Sequence, residues 1–310
     1  SAVGSHTVAI KTKTAQPIMP ALMGTMTITS PNTQEAKGVR NPQGTGPYVF
    51  GKWTPGQSVT LKRFSGYWGS KPVVENVKYV FRKESAVRAA MVKTGEADIA
   101  PNIAVQDATD SKMDFSYFNS ETARLRIDMS QKPLDDIRLR KAMNLAIDLD
   151  ALRGTIFAEG VVPQTQIVVP SINGHNPRLK PWPYNLNEAK KLVAAAKADG
   201  VDVGKEIVII GRLGIYPNST EAMEAMHAML SEAGFNLKIK MMETAGWLNF
   251  LSRPYAEDRG PTLVQGQHDN NNGDAVFSMY NKYACKGAQS TTCDDKVEAG
   301  IKAATAATGD

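Results

Sequence analysis

The stretch that most constrains this chain is residues 207–241, where an apolar run, a helical stripe and an alternating run follow one another. Ile207-Val208-Ile209-Ile210 has no polar face, as expected of a strand covered on both sides. Met223, Met226, Leu230 and Ala233 recur at helical spacing and stop at Gly234, and Asn218 and Glu221 have the spacing of a capping box at the start of that helix. Leu237, Ile239 and Met241 alternate with Lys238 and Lys240, the pattern of a strand with one wet face. Strand, helix and strand in this order predict a right-handed parallel crossover. In open sheets of that kind ligands sit beyond the carboxyl ends of the strands. Two loops meet the condition: residues 211–217, with Arg212 and Tyr216, and residues 266–274, after a strand predicted at Thr262 to Gln265. The second holds Gln267, His268, Asp269, Asn270, Asn271, Asn272 and Asp274. So dense a polar cluster reads as a solute site, although asparagine and glycine are also ordinary turn residues.

Elsewhere the pattern predicts strands at Thr7–Lys13, Thr25–Thr29, Thr60–Arg63, Val77–Arg82 and Thr122–Asp128, with a polar linker from Ser30 to Gly46. Helices are expected at Ser85–Lys93, from after Asp135-Asp136 to about Arg153, and from Asn185 to before Gly200. Leu139, Ala142, Met143, Ala146, Leu149 and Leu152 stripe the second of these, so Met143 reads as core and takes no ligand role. The fold class is α/β, with mixed sheets and flanking helices.

Composition narrows the function. Lysine and arginine number 36 against 31 acidic residues, a net charge of +5, yet no basic run exceeds two residues, as in Lys62-Arg63 or Lys190-Lys191. That is a solvated surface rather than a nucleic-acid interface. No run approaches the roughly eighteen apolar residues of a membrane span, and Ser1 to His6 lack the basic and apolar regions of a secretory signal. His6, His175, His227 and His268 are scattered without ligand spacing, so neither a metal nor a cofactor is read. Cys285 and Cys293 bracket a polar stretch; they close a small disulfide ring in an oxidising compartment or stand as two unrelated thiols. Gly200 to Lys205 is one residue too short for a phosphate-binding loop and precedes a strand instead of following one. If Gly273 is set at the glycine of a calcium loop, Met279 falls where the final glutamate belongs. No nucleophile elbow or His-Glu-x-x-His helix is present, and Asp98, Asp135, Asp136 and Asp148 lie near helix ends, where capping is the simpler role.

Four short motifs follow in order: Gly44-Thr45-Gly46-Pro47-Tyr48, Tyr67-Trp68-Gly69, Thr94-Gly95-Glu96-Ala97-Asp98-Ile99, and Pro133-Leu134-Asp135-Asp136-Ile137-Arg138-Leu139-Arg140. Lys141 to Asp148, Tyr184 to Leu192 and Met229 to Phe235 continue the series. This series resembles the extracellular solute-binding proteins of family 5, the peptide-, nickel- and opine-type substrate-binding components of ABC importers. The resemblance implies a periplasmic binding protein-like fold, two lobes around a cleft, and a monomer rather than an enzyme. It implies capture of a peptide or peptide-like solute in the periplasm, or at the extracellular face of the membrane, and delivery to permease subunits. A sensor-type binding protein and a periplasmic hydrolase are the rival readings. By resemblance the chain lacks both ends of the family: residues 1–38 match the end of a small accessory domain, 39–126 part of the first lobe, and 127–310 an incomplete second lobe. The hinge passes near Arg126-Ile127-Asp128. The family's peptide binders set an aspartate, in a tryptophan-containing segment, against the solute's amino terminus. Here Gln267 stands at the tryptophan and Asn270 or Asn271 at the aspartate, with Asp269 or Asp274 as substitutes after a small shift. The ligand-binding set expected is therefore Arg212, Tyr216, Gln267, His268, Asp269, Asn270, Asn271 and Asp274.

Overall fold

The computed structural model describes residues 1–27, 30 and 42–307. Its backbone packs as two units, Thr25–Ile103 and a larger one made of Ser1–Gly24 and Ala104–Asp310. The larger unit begins with β1 (Ala2–Val3) antiparallel to β2 (Thr7–Val8), followed by α1 (Met19–Met23). The strand expected at Thr7–Lys13 stops after two residues: Val8 and Ile10 remain exposed, so their alternation has no core to face. Residues 25–27 form no strand. Ile28 and Thr29, most of the expected linker and the 38/39 boundary lie outside the described residues.

In the smaller unit β3 (Tyr48–Thr54), β4 (Ser58–Arg63) and β5 (Asn76–Val80) form an antiparallel sheet in that order, and α2 (Ser85–Lys93) follows. The register of β3 shifts between Phe50 and Lys52. A Cβ on the intervening Gly51 would stand 2.8 Å from Thr60 Oγ1, an atom already accepting the Lys52 N–H at 2.9 Å. The first two motifs meet here, as the Trp68 indole donates to the Thr45 carbonyl at 3.2 Å. No residue in 42–103 is fully buried.

The rest of the larger unit comprises β6 (Thr122–Ile127), α3 (Ile137–Ala146), α4 (Leu186–Ala198), β7 (Ile207–Arg212), α5 (Ser219–Glu232), β8 (Leu237–Met242), α6 (Thr244–Leu251), β9 (Thr262–His268), α7 (Ala275–Tyr283) and α8 (Asp295–Ala306). The sheet order is β6-β9-β7-β8. β7 runs parallel to both β8 and β9, and β6 is antiparallel to β9. The crossover expected between β7 and β8 is thus parallel. Alternate residues of the central strands feed two cores. Ile207, Ile209 and Leu263 pack with Leu139, Met143, Val193 and Met223 of the helices on one face, while Ile210 and Val264 pack with Trp247 and Leu251 of α6 on the other. Burying each such leucine or isoleucine contributes about 1.5–3 kcal/mol.

Capping explains several boundaries. Asp136 accepts the Arg138 N–H at 2.7 Å and starts α3, and Asn185 accepts the Glu188 N–H at 3.0 Å and starts α4. α3 ends short of the expected Arg153 because the Asp148 carboxylate accepts the N–H groups of Asp150 and Ala151, at 3.1 and 3.0 Å, and turns the chain. Leu152 is buried without being helical. The capping box expected at Asn218 does not form. Asn218 has φ +57° and spends its amide on Gln106, giving and taking bonds of 2.9 and 3.0 Å, and on the Ile156 carbonyl. Cys285 and Cys293 are joined as a disulfide between α7 and α8.

Candidate functional site

Because β7 and β9 are parallel neighbours, their carboxyl ends emerge at one edge of the sheet. The antiparallel β6 brings its amino end to the same edge, where Thr122 lies opposite His268. Three segments therefore meet there: 119–121, 213–217 and 269–274. Two corrections follow from the register. β9 continues to His268, so Gln267 and His268 are strand residues rather than loop residues, held by pairing with Ala123 and Thr122.

At the end of β7 the organising group is Gln265, which is fully buried. Its Oε1 accepts the Arg212 N–H at 2.8 Å, and its Nε2 donates to the Tyr216 hydroxyl at 2.9 Å and to the Ser219 carbonyl at 3.2 Å. Tyr216 is thus tied to the strand, its ring tilted against Phe157, and burial raises its phenol pKa against the opposing effect of the Gln265 bond. A Cβ on Gly211 would meet Sδ and Cε of Met241, so a side chain there requires Met241 to move. Arg212 lays its guanidinium 5.0 Å from the Trp247 ring, and its Nε is buried without a partner among the described residues.

At the end of β9 the polar side chains form a chain of bonds. Asn270, 2 % exposed and at φ +49°, donates to the Ser120 and Ile167 carbonyls at 2.8 and 2.9 Å. The Ser278 hydroxyl donates to Asn270 Oδ1 at 3.1 Å and pairs with His268 Nε2 at 2.6 Å. With that proton committed to Asn270, Ser278 accepts from His268, which makes His268 the neutral Nε2–H tautomer. Burial first, then the positive charges of Lys282 and Arg124, press the His268 pKa down to about 4. The pair has the spacing of a nucleophile and its base, yet Ser278 is 0 % exposed and a substrate has no path to its oxygen. Asp274 caps α7, accepting from Val276 N–H and Asn173 Nδ2, both at 2.8 Å. Gln267 Nε2 donates to Glu121, and Asn271 donates to Asp269 at 2.6 Å. Of the residues expected from sequence, His268 and Asn270 are buried, Arg212, Tyr216, Gln267, Asp269 and Asp274 are half-buried, and Asn271 is exposed.

Glu121, Gln265 and Trp247 belong to this edge and are not among the residues expected from sequence. Gln265 ends an apolar run, a position that reads as core; Glu121 lies 146 residues from its partner Gln267, and no local pattern links them. The described residues contain no group of three or more side chains arranged to hold a metal ion.

Comparison with known proteins matches residues 1–290 to the bacterial extracellular solute-binding proteins, family 5 Middle. The dipeptide-binding protein of Escherichia coli (strain K12) is 25% identical over 257 residues, covering 80% of this chain and 46% of that protein. The glutathione-binding protein GsiB of Shigella flexneri is 34% identical over 162 residues, covering 50% of this chain and 31% of that protein. The chain thus spans less than half the length of either. The crystal structure of NikA from Staphylococcus aureus in complex with Ni(L-His)2 is similar in fold, with a TM-score of 0.79 at 18% identity over 96% of this chain and 64% of that one.

Proposed function

Because the chain belongs to the bacterial extracellular solute-binding proteins of family 5, we propose that it is the solute-capturing component of an ABC importer. It takes a peptide or peptide-like solute in the periplasm, or at the extracellular face of the membrane, and passes it to permease subunits. The observation that carries this reading is the family match over residues 1–290; the dipeptide- and glutathione-binding relatives support the solute class. The Cys285–Cys293 disulfide fits an oxidising compartment, and among the described residues no helix is long and apolar enough to cross a membrane.

In this reading the solute meets the edge where β7 and β9 end. Arg212 takes the solute's carboxylate, since a guanidinium offers paired donors to two oxygens. Asp269, with Glu121 beside Gln267, takes the amino group, and Asn271 and Gln267 read polar groups between. Tyr216 is tied to the Arg212 backbone through Gln265, and His268, Asn270 and Asp274 shape the edge through their bonds to Ser278, Ser120 and the start of α7. Closure on the solute is favoured only to the extent that the closed state binds it better.

The test is a thermal-shift panel of dipeptides, glutathione, sugars, opines and metal chelates on the protein as encoded by its own gene, followed by calorimetry. A peptide or glutathione that raises Tm in the parent, and binds at least tenfold less tightly in Arg212→Gln and Asp269→Asn, supports the proposal. A response confined to sugars or chelates, or unchanged affinity in both variants, removes it.

A further inference from the structure

At the sheet edge opposite the proposed solute site, where β6 ends and β9 begins, three guanidinium groups surround one aromatic ring. The Cζ atoms of Arg259, Arg126 and Arg253 lie 4.7, 5.1 and 5.6 Å from the centroid of Tyr255. A single carboxylate joins them: Asp128, fully buried, accepts from Arg259 Nε at 2.7 Å. The other two arginines have neutral acceptors. Arg126 donates to the carbonyls of Leu251, Phe250 and Gln289 and to the Tyr255 hydroxyl; it is 9 % exposed, and its Nε is buried with no partner among the described residues. Arg253 donates through Nε and Nη2 to one carbonyl, that of Ser290, at 3.2 and 3.1 Å.

Three positive charges thus share one negative charge, with Arg126 and the Arg259 side chain largely out of water and Arg253 at the exposed mouth. Like charges held together without compensation are unfavourable unless something of opposite sign completes them. The cluster opens onto a cavity of about 640 Å³ lined by Ser130, Arg253, Pro254, Tyr255, Arg259 and Thr291, a size that accommodates a small organic anion. Neutral carbonyls satisfy arginine hydrogens without cancelling their charge, so the field in the cavity stays positive. An oxyanion entering it would meet planar donor groups suited to paired oxygens.

We infer that this cavity is a binding site for a small oxyanion, a molecule carrying a phosphate or carboxylate group, with Arg253 as the direct contact and Arg126 and Arg259 completing the positive field around Tyr255. It lies at the other end of the strands from Arg212 and Asp269, and it stands whether or not the proposed solute reading holds.

The experiment compares inorganic phosphate, citrate and chloride at one ionic strength, following Tm and the ³¹P linewidth of phosphate, in the parent protein, Arg253→Gln and Arg212→Gln. The expected result is a saturable rise in Tm with phosphate or citrate over chloride, about 2 °C at ten times Kd for a chain of this length. ³¹P broadening accompanies any response to phosphate, and both effects disappear in Arg253→Gln and persist in Arg212→Gln. If Arg253→Gln does not fold, Arg253→Lys replaces it, with at least fivefold weaker affinity expected as the forked donor is lost. Equal Tm in all three salts, or a response abolished by Arg212→Gln and retained by the Arg253 variant, overturns the inference.

Discussion

Asn270→Ala is the substitution that most directly probes the 269–274 loop. The side chain is 2 % exposed and makes three bonds: two donated to the Ser120 and Ile167 carbonyls and one accepted from Ser278. Each buried hydrogen bond contributes about 1 kcal/mol net, so losing all three removes about 3 kcal/mol. The backbone adds to this, because φ is +49° and alanine is less favourable than asparagine in that region by up to about 1 kcal/mol. The expected loss is about 3–4 kcal/mol, or a fall in Tm of about 5–6 °C at the usual unfolding entropy per residue for a chain of this length. Calorimetry with urea titration measures both. Asn270→Gly separates the terms, since glycine carries no penalty at positive φ and recovers only the backbone part. Asn271→Ala is the contrast: the residue is exposed and bonds only to Asp269, so less than about 0.5 kcal/mol is expected. A loss below about 1.5 kcal/mol for Asn270→Ala, or equal losses at 270 and 271, would refute the reasoning.

Three further outcomes are expected. Lys282 is held down to a pKa of about 7, from 10.5, by burial and then by Arg124, with Arg126 adding and Asp269 opposing. The folded state therefore releases its proton before the unfolded state does, and stability rises as pH climbs from 7 to 10.5; Lys282→Met flattens that rise in pH-dependent urea melts, and an unchanged slope contradicts it. Replacing Cys285 and Cys293 with serine removes a small covalent loop and lowers stability by about 2–3 kcal/mol, while abolishing the sensitivity of Tm to reductant. Asp274→Ala removes the cap of α7 and lowers stability by about 1 kcal/mol; an unchanged Tm in thermal melts excludes the assignment of Asp274 to the scaffold.

Much of the architecture is legible in the sequence because it is written over short distances. The two-sided burial of Ile207–Ile210, the one-sided β8, the caps at Asp136 and Asn185, and the parallel crossover all follow from spacings within one element or between neighbours. Those spacings are set by the 3.6- and 2-residue periods of helix and strand. The four motifs do the same for the family, since they shape turns and helix starts. Sequence misjudged the places where a side chain had a distant alternative. Asn218 left its cap for Gln106, 112 residues away, and α3 stopped early when Asp148 offered its own chain a competing turn.

What the sequence by itself determined is thus the class, the family and the elements with the strongest local pattern, whereas β3, α6, α7 and α8 emerge only in the structure. Only the tertiary structure decided which ends of those elements meet. β9 inserts between β6 and β7, and this one placement sets Ser120 and Glu121 beside the 269–274 loop. It also makes His268 a buried strand residue and turns Gln265 into the tie between Arg212 and Tyr216. Periodicity reports which face of a strand is apolar, but strand order depends on packing among residues far apart in the chain, such as the 146 that separate Glu121 from Gln267, and local spacing carries no record of it.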